Sequence, residues 1–259
     1  GLFLFLYNSK RKNNLLLKEK NILISNINSQ KDKFYSIIAH DLRGPFNGFL
    51  GLTELMAEDI DTMSNEEIKF AAVNMRSSAK NLFALLENLL EWSRMEQDLI
   101  PFVPKEYALK SILLDSIITL QDIADKKGIS ITTAISNSKT IFVDKNMFQA
   151  IIRNIVMNAI KYKKKKGSIY IQEIEDVDNI IITVRDTGIG MNPKMIEDLF
   201  KLDANNNRAG TDDEPSTGLG LILCKEFIEK HKGRIWVESE EGKGSLFYIK
   251  FPNKNSKFI

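Results

Sequence analysis

The sequence predicts an α+β protein in two parts: a helical hairpin that pairs with a second copy as a four-helix bundle, and then an α/β sandwich. Three observations carry this prediction. Ile68, Ala72, Met75, Ala79, Leu82, Leu86 and Leu89 alternate steps of four and three, the seam of a helix packed against other helices. Pro101 and Pro104 then stop the helical pattern and mark a domain boundary. Beyond them, helical stretches alternate with short runs rich in Ile, Val, Tyr and Phe, as in a layer of helices on a mixed sheet.

The totals narrow the classes. The 259 residues allow one large domain or two small ones. Lys+Arg of 36 against Asp+Glu of 34 leaves no basic excess that would call for nucleic acid. The single cysteine, Cys224, permits no internal disulfide framework, and no Cys/His cluster suggests zinc.

From the N-terminus, GLFLFLY is too short to span a bilayer, and Lys10, Arg11 and Lys12 follow it. Residues 1–12 read as the end of a transmembrane segment with its basic cytoplasmic flank, or as a sticky tail. On the first alternative, the rest is the cytoplasmic portion of an inner-membrane protein. Over 13–33, Leu16, Leu23 and Ile27, with Phe34 just beyond, have coiled-coil-like spacing, so a linker helix is expected to run straight into the next segment.

Residues 34–100 are the predicted hairpin. Phe34, Ile38, Pro45, Phe49, Leu52 and Met56 form the seam of its first helix. Within IAHDLRGP, 38–45, His40 and Asp41 stand side by side. His40 lies two residues past Ile38, roughly 200° round a helix turning about 100° per residue, and so faces away from the seam. A hydrogen-bonded structural histidine and a reactive one both fit that neighbourhood. Ser64 and Glu67 form a capping box that starts the second helix. Two helices joined by a turn cannot bury both seams alone, which is why a homodimer is expected.

Residues 105–254 form the predicted sandwich. Helices are expected at 108–127, 144–162 and 218–231, and strands at 129–133, 140–143, 168–173, 179–185, 234–239 and 245–251. Three pieces in it suggest chemistry. Asn154 and Asn158 lie four apart on one helix face, with Lys161 nearly a turn further on. They border a stripe of isoleucine and valine where amides are out of place unless they bind something. An amide oxygen suits Mg²⁺. Next, Asp186 ends a strand and opens the turn DTGIGM, in which Gly188 and Gly190 allow close backbone approach to a ligand. Last, STGLGL, 216–221, places Gly218 and Gly220 at a helix start, a ready phosphate site. It is not a Walker A loop, because no Gly-Lys-Ser/Thr follows. The stretch NNNRAGTDDEPS between the last two reads as a mobile lid, and 163–166 as a solvated helix-to-strand turn, with a direct phosphate contact as the alternative. His231, after the last predicted helix, reads as a C-terminal residue favoured by the helix dipole.

In this order the motifs resemble those of the sensor histidine kinases of two-component signalling, and the resemblance runs from residue 31 to 252. FYSIIAHDLRGPFNGFLGL is similar to the family's phosphoacceptor box. This implies that His40 is phosphorylated and that Asp41 is the acidic neighbour acting as general base. Asn154 and Asn158 fall in its asparagine box, with Asn158 implied for Mg²⁺ and Asn154 close to the metal and triphosphate. Lys161 and Tyr162 match positions near the phosphates and nucleoside. Asp186 matches the aspartate that accepts from the adenine amine, with Gly188 and Gly190 shaping that pocket. LFKLD, 199–203, resembles the phenylalanine box, and Gly218 and Gly220 the second glycine box. The implied fold of the second part is the Bergerat (GHKL) ATP-binding sandwich. The implied reaction uses ATP and Mg²⁺ to phosphorylate His40, then transfers the phosphoryl group to an aspartate of a response-regulator receiver domain.

Two positions depart from the family pattern. Gly44 stands where Thr or Asn commonly positions water for dephosphorylating the partner, which implies a poor phosphatase. Ser216 replaces the first glycine of the second glycine box. Two other classes compete: a dimeric scaffold with a degenerate nucleotide site, and an ATPase of the chaperone and gyrase superfamily. The latter would carry a catalytic glutamate where this chain has Asn154.

Overall fold

The computed structural model describes residues 2–96, 99–163, 166–176, 178–201 and 219–253. By contact the chain divides into two units, Gly1–Phe83 and Ala84–Ile259. Helix α1 spans Leu2–Asp59 without interruption, so the predicted linker helix and the first hairpin helix are one element. Pro45 lies inside it. Proline removes the N–H that would bond the Asp41 carbonyl, yet the helix continues. Pro45 and the predicted seam residues after it, Phe49, Leu52 and Met56, are half-buried, so packing holds one side of α1 from the proline onward.

The turn after α1 closes with the Thr62 and Met63 N–H groups donating to the Asp59 carbonyl at 2.9 and 3.0 Å. Helix α2, Asn65–Glu96, begins at the predicted capping box. Ser64 N–H donates to the Glu67 carboxylate at 2.8 Å, and Glu67 N–H donates to Ser64 Oγ at 3.2 Å. The Ser64 backbone bond holds the exposed Glu67 carboxyl below its ordinary range. The α2 seam differs in part from the expected one. Ile68, Met75, Leu82 and Leu89 are half-buried, but Ala72, Ala79 and Leu86 are exposed, while Ala71 and Leu85 are buried. The stripe is wider than a two-helix contact can cover, so one edge is turned inward and the other faces solvent.

The second unit has the order β1 (Lys105–Ala108), α3 (Leu109–Lys126), β2 (Ile129–Ala134), β3 (Thr140–Val143), α4 (Lys145–Lys161), β4 (Gly167–Glu175), β5 (Asn179–Asp186), α5 (Pro193–Asp198), α6 (Leu219–Lys230), β6 (Arg234–Glu240) and β7 (Gly244–Pro252). β1 and β3 pair antiparallel, while the main sheet runs β2-β4-β5-β7-β6, parallel only at β2–β4. In β5 the interior face carries Ile180, Ile182 and Val184, following the period of two. They join Phe148, Ile151, Ile152 and Ile155 of α4 and Phe227 of α6 in one core. At roughly 25 cal/mol per Å² of apolar surface, this layer is the main source of the unit's stability. Elements β1 and α5 were not expected from the sequence. Among the described residues, no helix is long and apolar enough to cross a membrane.

Candidate functional site

Asp186 is the last residue of β5, in the middle of the sheet, and it is buried. One carboxylate oxygen accepts from the Gly188 N–H at 2.6 Å, and Ser245 on the neighbouring β7 donates from its backbone and hydroxyl. Burial pushes the Asp186 carboxyl above its ordinary range, while these bonds and the charge of Lys163 pull the other way. The turn that follows admits only glycine at two points. A Cβ on Gly188 would stand 2.8 Å from the Tyr162 carbonyl. Gly190, with φ of +63°, lies in the left-handed region, and a Cβ there would run into the Glu240 carbonyl.

The turn is fastened on two sides. Ile189 N–H donates to the Tyr162 carbonyl at the end of α4, at 3.1 Å. From the other side, Gly242 N–H donates to the Ile189 carbonyl at 2.8 Å, and Met191 N–H donates to Ser239 Oγ at 2.9 Å. The residues near 186–191 are therefore set against the end of α4 and the turn between β6 and β7. Sequence reasoning missed Ser239, Gly244 and Ser245 in this arrangement. The local signal was Gly242-Lys-Gly-Ser, a turn with two glycines directly before a strand.

Helix α4 starts at an Asp144 cap and brings the predicted amides to the same region. Asn154 turns its Nδ2 back to the Ala150 carbonyl at 3.1 Å. Its Oδ1 lies 2.6 Å from where a Cβ on Gly220 would be, so Gly220 lets the start of α6 close against α4. Asn154 thus links the two motifs structurally. Asn158 is half-buried one turn further on, and its carbonyl accepts from Tyr162 N–H at 3.0 Å. Lys161 and Tyr162 are also half-buried, with the ammonium 5.7 Å from the phenol ring centroid. An amide oxygen at Asn158 has the hardness for Mg²⁺, shared with phosphate and water oxygens. The glycines let the turn close against the end of α4 and the β6–β7 turn, and α6 close against α4, around the buried Asp186 carboxylate.

Leu199 and Phe200 of the predicted phenylalanine box pack against the core. Leu202, Asp203, the expected lid, Ser216 and Gly218 lie outside the described residues.

His40 and Asp41 fall on α1, with their side chains outside the described set. Gly44 is exposed, and a Cβ there would meet nothing within 4 Å. The chain's other histidine, His231, is 1% exposed. Its Nδ1 bonds the Phe227 carbonyl at 2.6 Å, and its Nε2 accepts from Asp144 N–H at 2.9 Å. Burial pushes its pKa below the ordinary histidine value. The expectation of a dipole-favoured cation is therefore corrected: His231 is a neutral, doubly bonded core residue, because desolvation outweighs the helix end. A ring nitrogen with no free lone pair attacks nothing, so His231 is not a nucleophile in this arrangement.

Comparison with known proteins identifies the two domain types. Residues 30–98 match the family model of the His Kinase A (phospho-acceptor) domain. Residues 143–255 match that of the histidine kinase-, DNA gyrase B- and HSP90-like ATPase. The sensor protein SrrB of Staphylococcus aureus is 32% identical over 228 residues, covering 88% of this chain and 39% of that protein. The chain thus spans well under half the length of the curated relatives it matches. Among solved structures, the histidine kinase AdeS of Acinetobacter baumannii aligns with a TM-score of 0.66 at 21% identity, over 83% of this chain and 98% of that one. The histidine kinase ThkA, solved in complex with the response regulator protein TrrA, aligns with a TM-score of 0.68 at 20% identity, over 86% of this chain and 62% of that one. These likenesses show the shared fold.

Proposed function

Since the chain belongs to the sensor histidine kinases, we propose that it transfers the γ-phosphoryl group of ATP to His40 and then to an aspartate of a response-regulator receiver domain. An imidazole nitrogen of His40 forms the N–P bond as the bond from γ-phosphorus to the ADP oxygen breaks. Asp41 orients the ring and takes up its proton. Asp186 accepts from the exocyclic amine of adenine, and Gly188 and Gly190 shape the turn that holds that carboxylate in place. Lys161, Tyr162, Gly218 and Gly220 line the nucleoside and phosphates, with Asn154 setting the approach of α6. Asn158 would hold Mg²⁺, which when bound offsets the triphosphate charge. A second copy of the chain completes the four-helix bundle around the α2 stripe.

The observation that carries this proposal is the pairing, in one chain, of a phospho-acceptor match around His40 with an ATPase fold, while His231 is committed to the core. Phosphotransfer is the test. The chain is labelled with γ-³²P-ATP and then mixed with each receiver domain of its own genome. Label should leave the chain and appear on one receiver aspartate. Retention on the chain with every receiver would contradict the proposed second step. Decay of the purified phospho-regulator with ADP and the chain, beside the regulator alone, reads the phosphatase activity. Decay no faster than for the regulator alone is expected, because Gly44 brings no side chain to hold a water in line.

A further inference from the structure

Asp186 must stay an acceptor to receive the adenine amine, although burial favours its protonated form. The structure holds a device suited to this. Lys163 follows α4 and folds back over Gly167, where a Cβ would collide with its side chain. Its ammonium donates to the Thr187 carbonyl. That carbonyl shares a peptide plane with the Gly188 N–H, which donates to Asp186 at 2.6 Å. The two bonds lie at opposite ends of one amide. A cation on the oxygen polarises the amide and strengthens the donor at the nitrogen, the cooperative effect of hydrogen bonds in series. Thr187 is anchored on the same side, since Ser168 N–H donates to its hydroxyl at 3.2 Å.

We propose that Lys163 is a positioning residue for base recognition, acting through the Thr187–Gly188 peptide to keep Asp186 an acceptor toward adenine. Lys163 reaches the site from the segment after α4. The other described groups facing Asp186 are neutral: the Ser245 hydroxyl and N–H on β7, the Gly188 N–H, and Ile169 opposite it on β4. Lys163 is thus the charged group acting on it, and its charge opposes the effect of burial. The sign follows: a carboxyl raised by burial protonates first as pH falls, and base affinity falls with it. Removing Lys163 moves that loss to higher pH.

The proposal rests on the nucleotide reading, so both adenosine and Mg-ATP are titrated calorimetrically into the full chain between about pH 5.5 and pH 8.5. Adenosine has no triphosphate and isolates the base pocket. Lys163→Met keeps the apolar stem over Gly167 and removes the charge, whereas Lys163→Arg keeps the charge. Near the alkaline end, the Met variant should bind adenosine within about twofold of wild type; toward the acidic end its affinity should begin to fall at a higher pH than that of wild type, no more steeply than the roughly tenfold per pH unit of a single linked proton. The Arg variant should follow wild type. Superimposable pH profiles for wild type and the Met variant would overturn the proposal. So would a pH-independent loss confined to Mg-ATP, which would assign Lys163 to the phosphates. A wild-type chain that binds neither ligand would overturn the nucleotide reading itself, and this inference with it.

Discussion

At His231, Nε2 must accept from the Asp144 N–H while Nδ1–H donates to Phe227, an arrangement available only to the neutral ring. Phe102 and Phe251 close over it edge-on, with centroids 4.9 and 5.5 Å from the imidazole. With its folded-state pKa lowered, the ring contributes stability that is fully present above the unfolded value, about 6.5, and is lost as pH falls through the folded one. Wild type should therefore lose stability relative to His231→Gln below about pH 6.5, by up to about 1.4 kcal/mol per pH unit. Urea denaturation of both proteins at several pH values reads the difference, and parallel stability profiles would count against the neutral ring. Asp186 has the opposite sign. Its raised pKa means that its burial costs least in acid and most once pH has risen through the folded value. The site's carboxylate is thus held against its own desolvation, which suits a group that works by accepting a bond.

Helix α4 concentrates the element-scale logic, because one carboxylate controls both its start and the segment leading into β1. Asp144 Oδ1 accepts from the Asn146 and Met147 N–H groups at 3.0 and 3.1 Å, and Oδ2 accepts from Val103 N–H at 3.0 Å. Asp144→Ala should cost roughly 1–3 kcal/mol, a cap of about 1–2 plus the part-buried bond from Val103. Asp144→Asn, which can still cap, should cost less. Equal losses in the two variants, measured by chemical denaturation, would show that the charge and cap are not what matters there. The same helix shows what was legible in the sequence. Its apolar period, like those of α3 and α6, is long enough to outweigh local ambiguity, and the β-rich runs matched strands for the same reason. β1 is only KEYA, held by pairing with β3 rather than by its own residues, and α5 is one short turn-and-a-half begun by Asn192 and Pro193. Such elements depend on distant partners. Within the site, Asp186, Gly188 and Gly190 were legible because the turn demands them. The contact of Asn154 with Gly220 and the Ser245 bond to Asp186 join residues far apart in sequence, and no local pattern encodes them.

Over the whole molecule, the first helices present more apolar surface than a lone hairpin should. Phe83 is 63% exposed, and the seam residues Ala72, Ala79 and Leu86 face outward on the same side of α2. Contiguous exposure of this kind marks an association surface. Ala79→Glu together with Leu86→Glu should give a folded monomer by sedimentation equilibrium, since neither position is buried within the single chain; a double variant that remains dimeric would place the pairing surface elsewhere. The central claim is chemical, that His40 is the phosphorylated residue in a chain that also binds ATP. It is tested most directly by incubating wild type and His40→Gln with γ-³²P-ATP and Mg²⁺, then challenging the label with acid and alkali. Wild type should carry an acid-labile, alkali-stable label and the variant none, with nucleotide binding retained by both. Stoichiometric label on His40→Gln would contradict it, and so would ATP binding by wild type with no label at all, the behaviour of a degenerate scaffold.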